Sequence, residues 1–143
     1  MPIRKASAVW EGGGLRSGKG TMRTESGVLD GRYDFGSRFE SAKGTNPEEL
    51  VAAAHAGCFS MALAAMLERG GTPPTRVATD AACTIEKVGD AFKVTKMHLV
   101  TRASVPNISA EQFAQTANAA KEGCPVSGIM KGNVEVTLDA KLE

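Results

Sequence analysis

Aromatic side chains are scarce in this chain: five Phe, one Tyr and one Trp account for 5% of the residues. A core with so few rings buries little area per residue, so packing on a second chain would add stability. Charge of one sign is lacking too, since 17 basic residues face 16 acidic ones for a net charge of +1. No basic stripe carries interleaved aromatics, which argues against nucleic acid as a partner. Only two His and three Cys are present, scattered without ligand spacing, which argues against a metal centre. Gly12, Gly13, Gly14, Gly18 and Gly20 match neither common phosphate-loop pattern and lead into a strand. Long apolar runs are limited to Leu50–Leu67, which is Ala-rich, contains His55 and is bounded by capping signals. Those features fit a buried helix better than a membrane span. Residues Met1 to Ser7 lack the apolar centre of a signal peptide. The expectation is a cytoplasmic chain whose thiols stay reduced unless they turn over.

What is present is an ordinary globular composition, 42% hydrophobic and 23% charged over 143 residues, the size of one domain (1–143). Short β-prone runs at 5–10, 20–24 and 32–36 are separated by Gly-rich turns and read as an antiparallel meander. A long helix follows. Asn46 is the N-cap, Pro47 the first helical position, and Glu49 stands three residues past the cap. Gly70-Gly71 and Pro73-Pro74 stop it. The helix is apolar nearly all round, so it is expected to be central and covered on all sides. From Arg76 to Val105 the pattern returns to strands, with a two-residue hairpin signal at Gly89-Asp90. Ser109 and Gln112 open a second helix to about Lys121, Cys124-Pro125 opens a short third one, and Asn133–Leu142 alternates as a final strand.

Chemistry concentrates on Cys58, deep in the long helix, and Cys124, at the start of the short one. A mid-helix thiol gains little from the helix dipole, and apolar neighbours raise its pKa, so Cys58 alone is an inert core thiol. It becomes a nucleophile only beside a cation from another segment, and Arg38 and Arg16 are the candidates. Cys124, at a helix N-terminus, is better placed to ionise and to act as a resolving or leaving thiol. Free cysteines are often simply buried, and Cys83 has only strand neighbours, which reads as core. Glu48 precedes Cys58 by ten residues, about 15 Å of helix, so joint action requires Glu48 of one chain and Cys58 of another, or a break in the helix. Glu48 can equally be an ordinary helix-start carboxylate. His55 lies one turn before Cys58 and reads as a core or interface histidine.

The blocks Trp10-Glu-Gly, Arg38-Phe-Glu, Gly44-Thr-Asn-Pro-Glu-Glu-Leu50, Ala53-Ala-His-Ala-Gly-Cys-Phe-Ser-Met-Ala-Leu63 and Gly123-Cys-Pro-Val-Ser127 carry a resemblance. The chain resembles the osmotically inducible protein C and organic hydroperoxide resistance family, and is nearer the first branch. The resemblance implies an α+β fold in which antiparallel sheets wrap two long central helices of an intertwined homodimer. It also implies a thiol peroxidase that reduces organic hydroperoxides in defence against oxidative stress. Cys58 would be the peroxidatic cysteine, passing through a sulfenic acid, and Cys124 the resolving cysteine that closes a Cys58–Cys124 disulfide. Arg38, matching the osmotically inducible branch, would hold the Cys58 thiolate, with Glu48 orienting it; Arg16 would be the counterpart in the hydroperoxide resistance branch. No haem, flavin or metal cofactor is implied, and the reductant would be an external dithiol of the lipoyl type. Phe59, Met61 and Met66 would favour an alkyl tail.

Two other readings stand beside this one. A Cys58/His55 hydrolase would not need Cys124. A non-enzymatic dimeric stress or binding protein would carry merely buried cysteines that ignore peroxides.

Overall fold

In the computed structural model, which describes residues 1–143, every element arises from a local signal in the chain. The residues divide into two units, Met1–Leu50 and Val51–Glu143.

The first unit is a meander. Strands β1 (Ala6–Glu11), β2 (Lys19–Thr24) and β3 (Asp30–Tyr33) form one antiparallel sheet in the order β1-β2-β3. The side chains of Trp10 and Tyr33 stack over the place where β2 carries Gly20, with ring centroids 5.5 Å apart. A Cβ on Gly20 would come within 2.4 Å of the Tyr33 ring and 2.8 Å of Trp10, so the absence of a side chain there permits the stack. The expected strand at 32–36 ends at Tyr33. Asp34 instead caps helix α1 (Phe35–Phe39), accepting from Ser37 N while the Ser37 hydroxyl accepts from Asp34 N. This reciprocal box uses Ser where Glu or Gln is usual, which is why alternation alone carried the strand too far.

Helix α2 (Pro47–Arg69) begins in this unit and continues through the second. Asn46 Oδ1 accepts from Glu49 N at 2.8 Å, the capping bond anticipated from sequence. The Glu49 side chain accepts from Thr45 Oγ1 instead of closing the box.

In the second unit β4 (Arg76–Val88) and β5 (Ala91–Ser104) form a long antiparallel hairpin around Gly89 (φ 63°). Helices α3 (Ala110–Gly123) and α4 (Pro125–Met130) then carry the chain back, so that β6 (Glu135–Leu142) runs parallel to β5. The expectation of purely antiparallel sheets is corrected here: a helical crossover permits a parallel neighbour, which a tight turn does not. The alternating residues Met97, Leu99, Thr101 and Ala103 of β5 are fully buried and share a core with Phe59, Leu63, Leu67, Phe113, Ala117 and Ala120. Ser60 of α2 donates to Thr79 of β4 at 2.8 Å, and Thr79 in turn bonds Thr101 at 3.0 Å, which ties the helix to the sheet.

By length and composition α2 is the one helix able to cross a bilayer. Beyond Glu48 at its start, its buried residues form a stripe every four positions, His55, Phe59, Leu63 and Leu67, each at most 1% exposed, as expected of a helix lying on a core. The opposite face, including Ala54, Met61 and Ala65, is exposed, and so is Val51, one turn before His55. A single chain therefore does not cover α2 on all sides.

Candidate active site

Two clusters hold the residues singled out from the sequence. In the first unit, α1 and the start of α2 are joined by Asn46, whose Nδ2 donates to Ser37 O at 3.0 Å, and by Ser37 Oγ, which donates to Thr45 O at 2.8 Å. These bonds set Arg38 against Glu48. Arg38 Nη2 donates to Glu48 Oε1 at 2.7 Å, and Nε lies 3.2 Å from both carboxylate oxygens. Glu48 is 8% exposed, so the guanidinium is held in a forked, partly desolvated geometry. Arg38 also lies 5.1 Å from the Phe39 ring centroid. A cavity of about 380 Å³ opens beside it, lined by Trp10, Leu15, Tyr33, Phe35, Arg38 and Phe39. Arg16 stacks on Phe35 at 4.2 Å from the centroid and takes no part in the Glu48 pair.

The apolar pocket residues expected from α2 do not assemble. Phe59 is wholly in the core and Met66, seven residues on, packs at the core's edge on the same side, whereas Met61 points away and is 77% exposed. The aromatic and apolar wall lies instead around Arg38, on β1, β3 and α1.

In the second unit, Cys58 and Cys124 are reduced, with 3.1 Å between their sulfurs. Cys124 is 1% exposed. It ends α3, where its N–H bonds Ala120 O, and caps α4, whose first residue is Pro125. Burial raises the Cys58 pKa, the bond and charge of Cys124 add to that, and the Val126 N–H only partly opposes it. Burial also works to raise Cys124, but the Ser127 N–H, the Cys58 thiol, the Ser127 hydroxyl and the Val126 N–H together outweigh it, and its pKa falls. Within one chain the negative charge therefore favours Cys124.

His55, on the buried stripe of α2, places Nε2 2.7 Å from Ser127 Oγ. Its Nδ1 is buried with no hydrogen-bond partner. Burial lowers its pKa, so the ring is neutral at pH 7. Its observed partner is thus a serine and not the Cys58 sulfur a hydrolase dyad would call for. Ser127, which has no catalytic motif of its own in the sequence, joins this cluster through His55. Its signal is spacing: His55 and Cys58 are three apart, as are Cys124 and Ser127, a spacing that lays two side chains on one helix face. Cys83 lies in β4, half-buried against the core. No group of three or more His, Cys, Asp or Glu is arranged to hold a metal ion.

The sequence pattern of the family described as OsmC-like protein matches residues 40–139. The chain belongs to the OsmC-like family. Peroxiredoxin OsmC of Escherichia coli (strain K12) is 49% identical over 141 residues, covering 98% of this chain and 96% of that protein. Organic hydroperoxide resistance protein OhrB of Bacillus subtilis (strain 168) is 30% identical over 126 residues, 85% of this chain and 89% of its own. The crystal structure of that OhrB superposes with a TM-score of 0.76 over 97% of this chain and 98% of its own, at 27% identity. This OsmC-like chain thus shares both sequence and an α+β fold of helices and two small sheets with proteins named for peroxide chemistry.

Proposed function

We propose that the chain is a thiol-dependent peroxidase that reduces organic hydroperoxides and serves in defence against oxidative stress, through Cys58, Cys124, Arg38 and Glu48. The observation that carries the mechanism is the pair of reduced sulfurs 3.1 Å apart, close enough to become a bond with a shift of about 1 Å. The names of the family's relatives, a peroxiredoxin and hydroperoxide resistance proteins, support the same activity.

Cys58 needs its charge to attack. Its pKa is raised in the chain alone, so a guanidinium must come to it. The Arg38–Glu48 pair lies on the same chain, and Glu48 and Cys58 are ten positions apart on α2, about 15 Å along the helix axis. The pair that meets Cys58 is therefore that of a second copy. A homodimer in which the 143 residues act as one domain, with the exposed face of α2 against its counterpart, supplies it.

Under that guanidinium the shared proton rests on Cys124, which donates to the Cys58 thiolate. The thiolate attacks the terminal peroxide oxygen, the O–O bond breaks, and Arg38 stabilises the departing alkoxide. The Cys124 proton passes to the alkoxide. This leaves Cys58 as sulfenic acid, Cys124 as thiolate, and the alcohol. Cys124 then attacks the Cys58 sulfur, the S–S bond forms, and hydroxide leaves with a solvent proton as water. An external dithiol, of lipoyl type, is oxidised to its disulfide and returns both thiols. These thiols carry the chemistry without a metal or prosthetic group, and the reducing cytoplasm suits such a cycle.

The aromatic cavity beside Arg38 supports a preference for an organic tail over hydrogen peroxide. Comparable kcat/KM for hydrogen peroxide and cumene hydroperoxide would count against that preference. The test of the cycle itself is mass spectrometry after one equivalent of cumene hydroperoxide. A loss of two mass units mapped to Cys58–Cys124 is expected, and an unchanged mass with both thiols intact would refute it. In Cys124→Ser the first attack should survive, and excess peroxide should then drive Cys58 to sulfinic acid, seen as a gain of 32 mass units.

A further inference from the structure

Helices α2 and α4 face each other through two rungs. One is Cys58–Cys124, and the other, one turn away on both helices, is His55–Ser127 at 2.7 Å. The cycle above uses only the first. The second is costly for a core: His55 is fully buried with Nδ1 unpartnered, in a stripe otherwise filled by Phe59, Leu63 and Leu67. An apolar side chain there would remove the orphaned nitrogen.

Hydrogen-bond direction gives the rung a role. The Ser127 hydroxyl has one proton, and Ser127 stands three residues past Cys124 at the start of α4, where its hydroxyl is among the groups that lower the Cys124 pKa. If it donates to sulfur, its oxygen must accept from His55, which fixes the proton of the neutral ring on Nε2. Nδ1 is then a bare acceptor in an apolar setting, which is less costly than a buried N–H left unpaired. The opposite tautomer would turn the Ser127 proton toward His55, take it from Cys124, and bury an unpartnered Nδ1–H.

We propose that His55 and Ser127 are positioning residues for Cys124: His55 Nε2–H donates to Ser127 Oγ, which aims the Ser127 O–H at the Cys124 sulfur and holds that sulfur as the thiolate that closes and reopens the Cys58–Cys124 bond. The assignment deepens the peroxidase reading and rests on it for the purpose of the thiolate, but not for the relay's existence in reduced protein. In the resolving step the relay stabilises Cys124 after its proton has gone to the alkoxide. In the reductive step it makes Cys124 the better leaving group, which directs the incoming dithiol to the Cys58 sulfur. No new redox partner is required, since the relay only orients a proton. The titratable groups facing Cys124 are Cys58 and His55 of α2; Lys121 and Glu122 of α3 pair with each other at 3.8 Å, and β5 and β6 present Met97, Leu99, Val136 and Leu138 to the core.

The test uses fully reduced protein without peroxide, labelled with 13Cβ-cysteine, with the Cys124 resonance assigned by its loss in Cys124→Ser. Its titration midpoint is compared in wild type, Ser127→Ala, Ser127→Thr, His55→Phe and His55→Gln. Ser127→Ala and His55→Phe should each raise the midpoint by about one pH unit, the worth of one hydrogen bond to a charged group. Ser127→Thr and His55→Gln, which keep the hydroxyl and an Nε-type donor, should restore it. The 15N shifts of His55 should report the Nε2–H tautomer. An unmoved midpoint in Ser127→Ala, a substitution small enough to fold, or an Nδ1–H tautomer in the wild type, overturns the relay. Shifted midpoints in a protein that consumes no hydroperoxide would uphold the relay while removing the peroxidase reading.

Discussion

In the proposed cycle Arg38 and Cys58 act on one peroxide molecule, and the two are prepared in different ways. Arg38 is prepared by a fork of contacts to Glu48 at 2.7 and 3.2 Å, so its planar face is fixed before substrate arrives. Arg38→Ala should slow the attack step by about a hundredfold, and Arg38→Lys, which keeps charge but loses the fork, should fall between. Stopped-flow loss of the Cys58 thiol under excess cumene hydroperoxide measures both, and equal rates for wild type and Arg38→Ala would remove the arginine from the mechanism. His55 makes a separate prediction for stability. Burial lowers its pKa below the 6.5 of an exposed histidine, so the unfolded chain binds the proton more tightly. Its contribution is complete above about pH 6.5 and is lost as pH falls toward the folded value. The urea midpoint should drop between pH 7 and pH 5, and drop less in His55→Gln.

At the scale of elements, the first sheet depends on a missing side chain. Gly20→Ala puts a Cβ 2.4 Å from Tyr33 and 2.8 Å from Trp10, and Trp10 Nε1 donates to Gly13 O in the next turn. The indole must swing away, losing the stack and straining that bond, for a cost of about 1–2 kcal/mol. Trp10 is the sole tryptophan, so a red-shifted emission with a lower urea midpoint reports the change directly. The bounds of α2 are legible in the sequence because Asn46 and Pro47 are strong start signals and Gly70 a strong stop; Asp34-x-x-Ser37 is a weaker capping pair, which alternation hides as strand. The parallel placement of β6 was not legible, because register between β5 and β6 is set by tertiary packing across 39 residues, as in His98 against Thr137. Cys58, Cys124, Arg38 and Glu48 stood out as residue types in blocks, whereas Ser127 is an ordinary helix-start serine until His55 is placed beside it.

For the whole molecule, exposed apolar surface points to a second chain. Val9, Leu15 and Leu29 of the first unit and Val51 and Met61 of α2 are each at least 37% exposed, more than a thin core spares without purpose. A symmetric dimer that shares its sites makes a sharp demand. As homodimers, Arg38→Ala should keep about a hundredth of the wild-type rate and Cys58→Ser none. In a heterodimer, the Cys58 of the first chain meets the intact Arg38–Glu48 pair of the second, while the other site loses both groups. Denaturing the two variants together and refolding them in equal amounts should return about a quarter of wild-type activity: half the dimers are mixed, and each has one working site of two. If arginine and cysteine met within one chain, no mixture could regain activity. Sedimentation of the refolded sample, showing a dimer in every case, separates failure to complement from failure to associate.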